Sequence, residues 1–408
     1  MMYETITEKV RRRLTSRDKC SASCHARILP CLAVMALCAL SLSAFAQATW
    51  HTEVVDDGSG ANVGKSASLV IDGRGNFHIG YYDDTRHMLR YAFRDRGDTQ
   101  WFKMAIPSTA PAYEYLSLAV DSKGWPHFSF LSESEGMEYA FWDGQTWQKV
   151  VIDNIRASYF NSIQLDVQGH PRISYYQEYS GDSRSSRNER RLVLHLKGAF
   201  FDGQQWFIQT VDWRGGTGKY NSLAVDLGGN PHIAYVRVSS GELLYAHRKE
   251  NRWQFSKVDS GASYHHNVGE GNSIALDPSG NPGIAYLDIT ANTVKYASWD
   301  GSKWKVDTVD HLAGRALLQN VSLKVDSQNR AHIAYYDGGT GVLKYATQTG
   351  TGWLLDVADR EGNVGMSPSL CLDEHDKPYI AYYDVTRHAL KFAQMQPAST
   401  QSAANANR

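Results

Sequence analysis

Seven tryptophans punctuate this sequence at a near-regular interval: Trp50, Trp101, Trp147, Trp206, Trp253, Trp304 and Trp353 stand 51, 46, 59, 47, 51 and 49 residues apart. A period of about fifty residues marks a repeat architecture, which fixes the overall form before single residues are read. Most Trp segments run to a Val-Asp-like pair, as in Val55-Asp56, Ile152-Asp153, Val211-Asp212, Val258-Asp259, Val309-Asp310 and Ala358-Asp359. After a variable loop comes Ser68-Leu69-Val70-Ile71-Asp72 or a copy of it, ending at Asp121, Asp166, Asp226, Asp277, Asp326 and Asp373. Each unit then carries a strand like His232-Ile233-Ala234-Tyr235 and another like Leu343-Lys344-Tyr345-Ala346.

Four short strands per unit, separated by Gly, Asn and Asp turns and repeated seven times, predict an all-β, seven-bladed β-propeller with four antiparallel strands per blade. A helical solenoid is excluded, because no unit holds ten residues of 3.6-residue periodicity. The count of strands also predicts closure. The last unit ends near Phe392 without its outer strand, while Trp50 to Asp56 is a spare one. Pairing the N-terminal strand into the C-terminal blade closes the ring and leaves no open inner edge. One propeller domain, 47–396, is therefore expected in place of the two or three domains that 408 residues allow.

The two ends read differently. Arg11, Arg12, Arg13 and Arg27 precede the apolar run from Ile28 to Leu42 and then Ala44-Phe45-Ala46, so 1–46 reads as a secretory signal peptide with a small-x-small cleavage site. A membrane anchor and a lipoprotein are the alternatives, but the run is short and Leu37 rather than a small residue precedes Cys38. Cleavage removes four of the five cysteines, leaving Cys371 and no disulfide. The expected location is secreted or periplasmic, with no membrane span after cleavage. Residues 397–408, rich in Ala, Ser, Asn and Gln, read as a disordered tail. Lys+Arg 42 against Asp+Glu 43 gives a net charge of −1, which supplies no global field for nucleic acid.

Blade order sorts the loops. Those entering the inner strand and those after the second strand share one face, here the top; the other two turns lie on the bottom, which is expected to be bland. The recurring Asp residues read as turn caps. His78, His127, His232 and His332 share one repeat position and read as structural, and the tryptophans as packing between blades. Function is sought where the top loops differ. Blade 4 offers Trp213, Arg214, Lys219, Tyr220 and Asn221, and places Arg237 where blades 1, 6 and 7 have Asp83, Asp337 and Asp384. Blade 3 offers Tyr159, Asn161 and Tyr175 and an insertion with Arg184, Arg187, Arg190 and Arg191; blade 5 offers His265 and His266. Basic and aromatic groups gathered on blades 3 to 5 suit an anionic, ring-containing ligand, with acidic polysaccharide the best fit. The opposing reading is that the arginines simply pair with nearby acids.

Several chemistries are disfavoured. No sialidase arginine set, no G-x-S-x-G element and no phosphate-binding glycine loop is present, and Glu114 and Glu270 carry no glycosidase motif. Adjacent histidines on an extended segment point apart, so His265 and His266 are not expected to share a metal, and no cofactor is expected. β-Elimination on a uronate sugar remains. It needs a group to neutralise the carboxylate, a base for the C5 proton and an acid for the departing oxygen.

The propeller repeats, including Asn230-Pro231-His232-Ile233-Ala234-Tyr235, resemble secreted bacterial propellers and the seven-bladed polysaccharide lyases such as ulvan lyases, over about residues 48–396. Those enzymes use His with Tyr and Arg. The resemblance implies Tyr220 as base or acid and Arg237, with Asn161, at the sugar carboxylate. His265 or His266 would be the second proton-transfer group, and Tyr159, Tyr175, Trp213, Lys219 and Asn221 would line the substrate. The first reading is thus a lyase for uronate-containing polysaccharide. The alternatives are a non-catalytic lectin-like propeller, for which similar pockets in several blades are the distinguishing mark, and a protein-interaction scaffold at the envelope.

Overall fold

The computed structural model describes residues 49–396 except 107–111, 155–157, 182–190, 262–266 and 315–319. Seven four-stranded antiparallel sheets follow one another around a ring. From the channel outwards, blade 1 runs Val63–Ile71, Phe77–Asp83, Met88–Arg94 and Phe102–Ala105. Blade 4 runs Thr217–Val225, Pro231–Arg237, Glu242–Lys249 and Arg252–Asp259. Blade 7 joins Val364–Leu372, Pro378–Asp384 and Ala389–Gln396 to the N-terminal strand Thr49–Asp56, in register from Thr49 opposite Gln396 to Asp56 opposite Leu390. The ring closes as the strand count requires.

Each junction is built from repeat residues. Every one of the seven tryptophans packs against an aromatic ring on the third strand of the preceding blade. Examples are Trp50 on Tyr345 at 5.1 Å, Trp206 on Tyr139 at 5.3 Å and Trp304 on Tyr245 at 5.3 Å between ring centroids, all edge-on. Edge-to-face pairs of this kind add about 0.5–1.5 kcal/mol beyond the area they bury. Around the channel a second ring of contacts uses the serine of each inner strand. Leu69 N–H donates to Ser369 Oγ at 2.8 Å, Leu118 to Ser68 at 3.1 Å and Leu370 to Ser322 at 2.9 Å. Ile163, Leu223 and Leu323 repeat the bond to Ser117, Ser162 and Ser273. Where each inner strand begins, the chains approach closely enough to demand glycine. Gly64, Gly218 and Gly365 have φ of 104°, 112° and 107°, and a Cβ on any of them would lie 2.7 Å from a backbone Cα of the neighbouring blade.

The recurring Asp caps the turn from first to second strand in all seven blades. Asp72 Oδ1, for example, accepts from the N–H groups of Arg74 and Asn76, each at 2.9 Å. Its other oxygen faces the structural histidine where there is one. His78 lies between Tyr91 Oη at 2.7 Å and Asp72 at 3.4 Å, and His127 and His232 each lie 2.5 Å from a tyrosine oxygen. These imidazoles are buried, and burial pushes His78, His127, His232 and His332 below the ordinary 6.5. The unfolded chain therefore takes up protons first as pH falls. The stability these neutral rings lend is complete above pH 6.5 and is lost as pH drops through their lower folded values. Thermal denaturation is expected to show a fall beginning near pH 6.5, well above the carboxylates' ordinary 3.8, with a slope of up to about 1.4 kcal/mol per pH unit per histidine. Replacing His78 and His232 by Gln should flatten that limb and leave the decline below pH 3.8 in place; an unchanged limb would show that other groups cause it.

Candidate functional sites

A polar network fills the top of every blade but the second, which has Phe130 at the tyrosine position. Tyr81, Tyr175, Tyr235, Tyr286, Tyr335 and Tyr382 are wholly buried, and each hydroxyl donates to the Asp that ends the preceding outer strand, at 2.6–2.8 Å. In blades 5 and 6 a third-strand lysine sits between two carboxylates: Lys295 at 3.2 Å from Asp259 and 2.7 Å from Asp288, and Lys344 at 2.9 Å from both Asp310 and Asp337. Burial alone raises the Asp259 carboxyl, but Tyr286, the Gly261 N–H and Lys295 outweigh it and hold it below the usual range. Asp83, Asp337 and Asp384 are buried in this network. The segments Tyr81-Tyr82-Asp83, Tyr335-Tyr336-Asp337 and Tyr382-Tyr383-Asp384 of blades 1, 6 and 7 are thus internal frameworks and not surface pockets.

The lyase constellation is not assembled. Tyr220 lines the top of the central channel with Tyr115, Phe160, Asn161 and Asn221. Its ring packs 4.5 Å from Phe160, and Phe160 4.8 Å from Tyr115, forming an aromatic arc. Burial, then the nearby Glu270, pushes the Tyr220 phenol well above its ordinary 10, the wrong direction for a base. Arg237 lies elsewhere. It lines a hollow with Phe255, Ser256 and Lys257 of the outermost strand of blade 4, so it faces the periphery and not the central axis, and it pairs with Glu242 at 3.1 Å. Tyr175 is buried on Asp153 and cannot line substrate. The Asn161 and Asn221 amides tie adjacent blades, donating to Tyr115 O at 3.1 Å and to Phe160 O, and accepting from Ser129 and Ser174 hydroxyls. Tyr159 packs edge-on against Tyr115, Lys219 lies over the Tyr220 ring at 4.8 Å, and Trp213 is largely exposed. His265, His266 and Arg184, Arg187 and Arg190 lie outside the described residues, as do the proposed leader and tail.

Two of the three larger hollows open between blades on the bottom face, where none was expected. One, of about 430 Å³, lies between the last blade and the first. Phe77 and Tyr379 form its inner wall, Glu53 and Arg94 its floor, and Arg96 and Glu374 meet at 2.9 Å on its rim. Arg94 is caged, its guanidinium 4.3 Å from the Trp101 ring centre and 4.9 Å from those of Phe77 and Phe392, and it pairs with Glu53. The second hollow, of about 410 Å³, lies between blades 3 and 4 and is lined by Phe200, Phe207, Arg172, Asp202, Asn230 and Arg248. The two are equivalent by repeat position. In each the preceding blade has lost its histidine, to Tyr379 or Arg172, and the following blade carries an arginine, Arg94 or Arg248, where the other five have Trp142, Phe201, Trp299, Gln348 and Met395. Those coincident departures were the available signal. Tyr379 and Arg172 still satisfy the recurring Asp, at 3.0 Å on Asp373 and 2.6 Å on Asp166, so they escape notice as substitutions of like role.

Among the described residues no group of three His, Cys, Asp or Glu is placed to hold a metal, and no helix is long and apolar enough to cross a membrane. No family model and no curated protein matches the chain. Solved structures do. A protein of unknown function from Dyadobacter fermentans is 9% identical, with 85% of this chain and 97% of that one covered and a TM-score of 0.52. AofleA from Arthrobotrys oligospora is 13% identical, with 76% and 90% covered and a TM-score of 0.50. A fucose-specific lectin from Aleuria aurantia is 13% identical, with 75% and 97% covered and a TM-score of 0.48. At such identities the likeness is one of fold alone.

Proposed function

We propose that this chain is an exported, non-catalytic glycan-binding propeller whose sugar sites are the two bottom-face clefts. The recurrence of one cleft at two equivalent junctions carries the reading, because similar pockets in several blades distinguish a lectin-like propeller from an enzyme with a single centre. Both clefts are of the size usual for small-ligand sites. Each combines aromatic walls, on which the C–H face of a sugar ring can lie, with donors and acceptors of both signs for its hydroxyls. Among the described residues the Arg248 guanidinium has no hydrogen-bond or ion-pair partner, and it lines the second cleft, ready to donate.

The test is a glycan array followed by calorimetry on the best glycan. Wild-type protein is expected to bind with a stoichiometry of two. Arg248→Ala and Arg96→Ala should each weaken one site by about tenfold, the loss of one hydrogen bond to a charged group, and the double variant should weaken both. An array without hits, or a glycan whose binding the double variant leaves unchanged, would reject the assignment.

A further inference from the structure

Blade 4 breaks the top-face network in a way that leaves a place for an anion. At the third-strand position where blades 5, 6 and 7 have Lys295, Lys344 and Lys391, blade 4 has Leu244. The carboxylate such a lysine would serve, Asp212, is instead held from the loop by Arg214, at 2.8 Å through Nε and 2.6 Å through Nη2. At the end of the second strand the repeat's aspartate is Arg237, directly across the ladder from Glu242. The outcome is an inverted triad. Blades 5 and 6 set one cation between two carboxylates, whereas blade 4 sets one carboxylate, Glu242, between two cations, Arg237 at 3.1 Å and Lys257 at 3.2 Å.

Glu242 cannot neutralise both. Its Oε2 also accepts from Ser240 Oγ at 2.6 Å, and that bond, with Lys257, holds the carboxyl below its usual range, so it is ionised and fully occupied. The Nε of Arg237 is buried and has no acceptor. Buried donors without partners are rare enough in folded proteins to require a cause. The space left by the missing lysine is a hollow of about 180 Å³, with Leu244 and Phe255 as apolar floor, Arg214, Arg237 and Lys257 around it, and Glu242, already bonded to two of these cations, also on its wall. Arg214 also lies over the Phe255 ring at 4.5 Å, which fixes the aromatic face.

We propose that this hollow binds the oxyanion of an acidic sugar, a carboxylate or sulfate ester, with Arg237 and Lys257 as its counter-charges and Leu244 and Phe255 beneath the ring. It is a separate site from the bottom-face clefts and needs nothing of them. An anion there restores the alternation of charge found in the neighbouring blades, with the signs exchanged.

Calorimetric titration of the purified protein with glucuronate, glucose 6-sulfate and glucose tests it. The two acidic sugars should bind and glucose should not, with affinity falling as salt rises. Arg237→Gln, which keeps a polar side chain and removes the charge, should weaken binding at least about tenfold, the loss of one charge-assisted hydrogen bond. Combining Arg237→Asp, Glu242→Val and Leu244→Lys rebuilds the blade 6 arrangement beside Asp212; this variant should fold and bind neither acid. The Arg96→Ala, Arg248→Ala variant should bind both as wild type does. Equal binding of glucose and glucuronate, no binding of either acid, or binding that survives the rebuilt blade would overturn the proposal. None of these outcomes alters the array result expected of the clefts.

Discussion

A variant lacking residues 49–56 is expected to unfold at least about 10 °C below the intact protein. The N-terminal strand does three things at once in the closed ring. It covers the outer edge of Ala389–Gln396, whose ladder would otherwise be an open template for association. It supplies Asp56, which accepts from the buried Tyr81 hydroxyl at 2.6 Å and from Lys103 at 3.2 Å in blade 1, so its loss strips a polar partner from the next blade as well. It also supplies Glu53, the carboxylate that pairs with Arg94 inside the Phe77, Trp101 and Phe392 cage. A buried guanidinium without a counter-charge is among the costlier defects a core can carry. Scanning calorimetry reads the effect, and a synthetic peptide of residues 49–56 added in excess should restore much of the midpoint by binding the folded ring. A midpoint unchanged by the deletion would mean that the strand contributes nothing to closure. Because Glu53 and His51 also line the first bottom cleft, the deletion should cost sugar binding there and spare the cleft between blades 3 and 4.

The architecture was legible in the sequence because the same physics is written seven times. Each Trp must find an aromatic partner, each inner-strand Asp must cap a turn, and a spare outer strand at one end must meet a missing one at the other. Such signals reinforce one another, and departures in single copies do not erase them. The sites were less legible for the opposite reason. Arg237 stands out as a basic residue in an acidic position, but only the structure reveals that Glu242, five residues on, claims one of its nitrogens and leaves another buried and unpaired. Asn221 has the chemistry of a sugar ligand, yet its amide is consumed in joining blades 3 and 4. The bottom face was discounted because its residues recur. There the informative positions are the ones that fail to recur together, Tyr379 with Arg94 and Arg172 with Arg248, and their pairing across a junction depends on knowing which blade follows which in space.

Lys391→Met is the point substitution expected to destabilise the ring most, by about 3–5 kcal/mol, because it removes one partner from a buried ion network. Lys391 is only 3% exposed, and its ammonium pairs with Asp359 and lies 3.9 Å from Asp384, itself wholly buried. The Tyr382 hydroxyl donates to the same Asp359 at 2.6 Å, so without the lysine Asp359 keeps only neutral donors, this hydroxyl and the Glu361 N–H, and Asp384 keeps only the half-exposed Arg387. Apolar character at this position is not itself the fault. Blade 4 carries Leu244 there without harm, since Arg214 reaches back to Asp212 from two residues further along the loop. The corresponding residue after Asp359 is Glu361, whose N–H bonds Asp359 Oδ1 at 3.0 Å as that of Arg214 bonds Asp212 Oδ1 at 3.0 Å. Adding Glu361→Arg to Lys391→Met should therefore recover a substantial part of the loss in urea unfolding, whereas Glu361→Gln, which brings no cation, should recover little. Equal recovery by both would show that the cost lies in packing around the methionine and not in an unpaired charge. Recovery by arginine alone would establish that the carboxylate ending each outer strand needs a cation but not a particular strand to supply it. That interchangeability is what freed position 244 to become the floor of a pocket.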